Sequence, residues 1–243
     1  MIVMVSNQTG WKTHFLQGRY GGLGLLFPPE RLFGPHPHLP WAMDNGAFGA
    51  WINKKPWDEG VFEKGLLWAS DKTIPPRWVV VPDVVTDPDA TLKAWEIWAP
   101  RMRDLGFQLA LAVQDGMTPD LVRKHTDPDI VFVGGSRLWK LSTRAMWARE
   151  FDRVHIARVN GLRDLLDSHR LGVESVDGTG FFRGRRAQLQ ELVTYLKTYA
   201  NPDIQDEDTP LFAPLDDGHP RFDFPEPEAN EAHPPGRLPV GFS

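Results

Sequence analysis

The 243-residue sequence contains no cysteine. That absence excludes disulfides, thiolate metal sites and a cysteine nucleophile together. A chain without disulfides suits the cytoplasm, which is the expected location. No apolar run approaches the length of a membrane span, so no membrane partner is expected. The opening stretch, MIVMVSNQTG, lacks the basic region and long apolar segment of a signal peptide. Also missing are a serine elbow, a P-loop and a Gly-rich dinucleotide loop. No His-x-x-x-His or Glu-x-x-His spacing occurs either, so neither cofactor nor metal is expected. His36-Pro37-His38 lies in a Pro-rich stretch and reads as a surface turn rather than a ligand pair.

The net charge of −5 is unevenly spread. Residues 203–243 hold ten acidic residues and only two basic ones, Arg221 and Arg237. Residues 1–202 therefore carry 25 basic and 22 acidic side chains, a net of +3. The global value gives no argument against a nucleic-acid partner. The Pro-rich acidic tail has no apolar periodicity and reads as disordered or loosely docked. Its Leu211, Phe212, Leu215, Phe222 and Phe224 would let it dock as an extended strap.

Residues 1–202 alternate between two kinds of segment. Short β-branched runs recur at 2–5, 78–81, 109–113, 130–133, 154–157 and 173–176, with a weaker one at 41–43. Bounded by Gly, Pro and Asp, they read as strands buried on both faces. Amphipathic helices are predicted over 62–69, 89–105, 119–124, 142–151, 162–169 and 187–199. The rhythm of about 20–25 residues per unit indicates parallel βα repeats. One uninterrupted series favours a (β/α)8 barrel over an open sheet. The eighth strand is either 23–27 or the region after Asp177.

In such a barrel the site lies at the C-terminal ends of the strands. Those ends carry Asp44-Asn45-Gly46-Ala47-Phe48, Pro82-Asp83, Gln114-Asp115-Gly116, Gly134-Gly135-Ser136, Arg158-Val159-Asn160-Gly161 and Asp177-Gly178-Thr179-Gly180. One aspartate at a strand end is ordinarily a turn or cap. Six polar ends converging on one mouth suggest chemistry. Two carboxylates can divide into nucleophile and general acid/base at a glycosidic carbon. The remaining polar groups, with Gln114 and glycine backbone, can bind the edge of a flat heterocycle.

This ordered series resembles the tRNA-guanine transglycosylase superfamily, over roughly residues 40–186. The likest branch is the short DpdA-type enzymes of phages and bacteria, which exchange guanine in DNA for a 7-deazaguanine base. The resemblance implies a (β/α)8 barrel, with DNA (double- or single-stranded) and a free 7-deazaguanine base as substrates. It implies that Asp177 is the nucleophile attacking C1′ and that Asp44 is the general acid/base. Asp83 and Gln114 would read the purine-like edge, and Gly134 and Gly135 would lie against the base, with Ser136 following them in the same motif. Phe48 would offer a stacking face, and Asn160 would line the pocket. Asp115 stands where the family has glycine, and would either recognise an amino substituent or cap the following helix. The family's tRNA enzymes carry a Cys/Cys/Cys/His zinc module, which a chain without cysteine cannot form. That departure shifts the expectation from tRNA toward DNA.

After the nucleophile position comes Phe181-Phe182-Arg183-Gly184-Arg185-Arg186. Arg183, Arg185 and Arg186 are candidate contacts to phosphates flanking the target nucleotide. Arg137, Arg158, Lys140 and Lys12 are weaker ones. Of ten tryptophans, Trp95 and Trp98 have core spacing, whereas Trp51, Trp57 and Trp139 are the candidates for stacking on bases. The alternatives are exchange in RNA, hydrolysis of a small nucleoside, a non-catalytic nucleic-acid-binding barrel, and a carboxylate-metal hydrolase.

Overall fold

A computed structural model describes residues 1–6, 9–184 and 186–200. The acidic tail and Arg185 lie outside the described residues. The strands are β1 (Ile2–Ser6), β2 (Leu23–Phe27), β3 (Trp41–Met43), β4 (Val79–Val80), β5 (Leu109–Val113), β6 (Ile130–Val133), β7 (Val154–Ile156) and β8 (Ser175–Asp177). The helices are α1 (Trp11–Tyr20), α2 (Ala47–Ile52), α3 (Glu59–Ser70), α4 (Pro88–Asp104), α5 (Pro119–His125), α6 (Arg137–Glu150), α7 (Leu162–Arg170), α8 (Gly180–Arg183) and α9 (Arg186–Tyr195). A π-helical turn, Leu196–Ala200, continues α9. The eight strands pair in chain order, and β8 closes on β1. Every pairing is parallel, and each crossover between consecutive strands carries a helix except β2 to β3, where residues 28–40 make the connection. The protein is a (β/α)8 barrel.

Leu23–Phe27 is the eighth strand, fully buried and placed between β1 and β3. The region after Asp177 forms the short helix α8 instead. Helices α1 and α2 have no strong amphipathic pattern in the sequence. In α1 the inward residues are Thr13, Leu16 and Tyr20, while Trp11 and Phe15 are exposed. Two of its large apolar residues therefore point away from the core and blur the inward stripe of Leu16 and Tyr20. Helix α6 begins at Arg137, five residues before the predicted start, because Ser136 caps it by accepting the Trp139 N–H.

Strand alternation fills the barrel interior. Met4, Leu26, Ala42, Trp78, Val80, Ala110, Ala112 and Ile130 form one buried cluster, with Ile2 and Phe132 packed against it. The small residues Ala42, Ala110 and Ala112 leave space for rings. Trp78 lies 6.0 Å from Phe132, and His155 stacks on Phe132 at 4.6 Å. With a period of two, the next inward positions toward the C-terminal ends are Asp44, Gln114, Gly134, Ala157 and Asp177. The same alternation that builds the core therefore delivers the polar groups to one mouth.

Candidate active site

Three carboxylates meet at the C-terminal mouth of the barrel. Asp44 follows β3, and its Oδ1 accepts the N–H groups of Asn45 (2.7 Å) and Gly46 (3.4 Å). Gly46 stands at φ +79, a left-handed turn that starts α2 immediately afterwards. Burial pushes the Asp44 carboxyl up to about 7, reinforced by the charges of Asp177 and Asp83. The two backbone donors oppose this and lose to desolvation.

Asp83 and Gln114 form a locked pair. Gln114 Nε2 donates to Asp83 Oδ2 at 2.6 Å, and Asn45 Nδ2 donates to Asp83 Oδ1 at 2.7 Å. The Thr86 N–H donates to Gln114 Oε1 at 3.2 Å. Gln114 is only 3% exposed. Burial lifts the Asp83 carboxyl to about 6 in spite of its amide donors. Asn45 is a buried keystone. It also donates to the Val81 carbonyl, accepts the Ala47 N–H, and takes the Trp57 indole N–H on its own carbonyl.

Asp177 ends β8 at 7% exposure. Its Oδ1 accepts the Arg158 N–H at 3.0 Å and faces His155 Nε2 at 3.0 Å. His155 is fully buried, and its Nδ1 meets Ser175 Oγ at 2.8 Å. Ser175, His155 and Asp177 thus form a continuous buried relay across β7 and β8. The sequence reading missed His155 and Ser175. A usable signal was present: Ser175 and Asp177 share one strand face, and His155 is the register partner of Ser175.

Arg158 joins the parts of the mouth. Its backbone adopts φ +57, unusual for a residue with a side chain. That turn aims its N–H at Asp177. Its guanidinium donates to the Gly135 carbonyl and lies 4.6 Å over the Phe48 ring. The adjoining wall is Gly134 and Gly135, which follow β6, the neighbour of β7. Gly135 sits at φ +67, where an added Cβ would lie 2.7 Å from the Trp139 ring. Asp115 secures that wall by accepting the Ser136 N–H at 2.6 Å. We expect Gly135→Ala to cost about 2 kcal/mol or more, through strain and collision together. Urea unfolding of the variant measures it.

The remaining site candidates are dispersed. Asn160 Oδ1 accepts the Gly180 N–H at 2.7 Å, tying the β7 loop to α8. Arg137 pairs with Asp164 at 3.6 Å. Arg183 and Arg186, which follow Asp177 in the chain, are exposed. Lys140 is buried and donates to the Ala157 carbonyl, so it is withdrawn from any phosphate. Its ammonium is pushed down to about 8, first by burial and then by Arg158. Of the three candidate stacking tryptophans, Trp57 is tied to Asn45 and packs on Phe62 and Trp98. Trp139 is half-buried, and Trp51 is exposed. Trp95 and Trp98 are buried, as their spacing indicated.

The described residues therefore define a (β/α)8 barrel whose mouth holds three interacting carboxylates around an amide and a glycine wall. The chain matches no protein-family model and no curated protein sequence. Among the described residues no helix is long and apolar enough to cross a membrane.

Proposed function

We propose that this protein is a DNA-guanine transglycosylase, exchanging guanine in DNA for a 7-deazaguanine base. The observation that carries the reading is the unequal setting of two neighbouring aspartates. Asp177 is fixed by a backbone N–H and a buried imidazole. Asp44 is lifted to about 7 by burial and by Asp177 itself. Two nearby carboxyl groups held by such different partners suit a nucleophile and an acid/base.

In the proposed reaction an Asp177 oxygen attacks C1′ of the deoxyribose. The bond from C1′ to the guanine N9 breaks, and the proton on Asp44 passes to the departing base. The incoming deazaguanine then loses its N9 proton to Asp44, attacks C1′ and releases Asp177. A group titrating near neutrality can do both proton transfers at working pH. Asp83, Gln114 and the Gly134–Gly135 wall hold the flat base. The resemblance of these motifs to the transglycosylase superfamily supports the assignment. The absent cysteines favour DNA over tRNA, and the +3 charge of residues 1–202 suits either nucleic acid.

His155 acts here as a positioning residue for Asp177. We expect His155→Phe to keep the stack on Phe132 yet lower kcat by about 10–100-fold with little change in KM. Loss of folding would instead appear as a lost cooperative melt.

The direct test is exchange of labelled guanine out of DNA by the purified protein, paired with nucleoside mass spectrometry of DNA from expressing cells supplied with a deazaguanine. A 7-deazaguanine deoxynucleoside is the expected product. Modification confined to tRNA would overturn the DNA assignment, and no exchange in either nucleic acid would overturn the reading.

A further inference from the structure

One exposed feature beside the mouth has no part in the chemistry above. Helix α2 begins three residues after Asp44, and its last two residues are large and apolar. Trp51 is 51% exposed and Ile52 is 58% exposed. The two side chains stand next to each other at the end of the helix, and together they form a small exposed apolar tip. Asn53, Lys54 and Lys55 follow, all exposed. The segment 53–56 carries two positive charges and no negative one. Asp58, just beyond, is engaged as the cap of α3, accepting the Val61 N–H at 3.0 Å.

The tip is held rather than frayed. Asn53 Nδ2 donates to the Gly49 carbonyl at 2.7 Å. The Lys54 N–H donates to the Trp51 carbonyl at 3.0 Å, and the Lys55 N–H to the Ala50 carbonyl at 2.9 Å. Lys54 itself adopts φ +53, a left-handed residue that ends the helix abruptly. Inward from the tip runs a ladder of rings and charge. The Trp51 ring lies 5.9 Å from Phe48, tilted by 32°. Phe48 lies under the Arg158 guanidinium, and the Arg158 N–H holds Asp177. Three contacts thus join the exposed tip to the proposed nucleophile.

We propose that Trp51 and Ile52 form a wedge for duplex DNA. The wedge fills the gap left in the stack when the target base turns out, while Lys54 and Lys55 contact phosphates beside it. This rests on the transglycosylase reading for the identity of the target base. A target base in a duplex must leave the stack, and an apolar side chain inserted at the step offsets part of that loss. A free base or nucleoside has no gap to fill and no flanking phosphates. The apolar pair supplies the surface a gap in the stack would take, and the lysine pair supplies charge for the phosphates beside it.

The test uses the full chain and a guanine-containing duplex. Permanganate, which oxidises unstacked thymines, probes the steps beside guanine at saturating protein. Wild type is expected to make those thymines reactive. The double variant Trp51→Ala, Ile52→Ala is expected to bind yet lose the reactivity. Because both residues are exposed, its thermal melt should match wild type. Lys54→Gln with Lys55→Gln is expected to weaken duplex binding about tenfold and to reduce the salt slope by about two. An unchanged permanganate pattern in the alanine variant overturns the wedge. So does a wild-type protein that binds no duplex, or that forms a dimer dependent on Trp51. Guanine exchange is measured in the same samples. Duplex opening without exchange overturns the transglycosylase reading and leaves the wedge standing.

Discussion

Asp177→Ala is expected to abolish exchange of labelled guanine, by about 10⁴-fold or more, and to abolish any covalent protein–DNA adduct. In the proposed reaction the Asp177 carboxylate is the group that bonds to C1′, and alanine offers no nucleophile in its place. The substitution removes the acceptor of the Arg158 N–H and the partner of His155 Nε2. The imidazole keeps Ser175 and its stack on Phe132, so the barrel should persist. Denaturing gels of wild-type protein with DNA, without the incoming base, trap the intermediate as a slow band. Full activity in the alanine variant would remove Asp177 from the nucleophile role.

Asp44→Asn should separate stability from turnover. The asparagine oxygen can still accept the Asn45 and Gly46 N–H groups, so the turn into α2 is kept. It cannot carry the proton, and exchange is expected to fall by about 10³-fold while DNA is still bound. Stability moves the other way. The Asp44 carboxyl rises from 3.8 to about 7 on folding, chiefly through burial. A raised carboxyl contributes stability fully below pH 3.8, and that contribution is lost as pH climbs through 7. By linkage the loss amounts to up to about 4 kcal/mol. Asp83, lifted to about 6, works in the same direction over a lower window. If half the Asp44 loss is recovered, the asparagine variant melts about 4–8 °C above wild type at pH 8. At pH 4 the two should melt together. Melting curves across that range decide the matter, and a variant less stable at pH 8 would contradict the buried-carboxyl account.

Much of the barrel could be read in advance because each strand is a short apolar run with a polar stop. Ile130–Val133 followed by Gly134-Gly135 and Leu109–Val113 followed by Gln114 needed no tertiary information. Leu23–Phe27 was left unsettled only because the run LGLLF holds a glycine and lacks β-branched residues. Helix α1 was missed because its exposed Trp11 and Phe15 overwhelm the weak inward stripe. The aspartates of the mouth were legible since each ends a strand. His155 was not, because a single histidine inside Val154–Ile156 reveals its role only when β8 lies beside it. From sequence Arg158 reads as a phosphate contact. No sequence pattern indicated a left-handed turn that folds its side chain onto Gly135 and Phe48.

That turn constrains how the pocket can evolve. Arg158 grips Asp177, the proposed nucleophile, with its backbone and the Gly135 carbonyl with its side chain. A mutation that reshapes the wall to admit a bulkier base also shifts the anchor of Asp177. Selectivity and turnover are therefore mechanically coupled through one residue. Variants with altered base preference should emerge with Arg158 already replaced, or with a second change that restores its hold on Asp177.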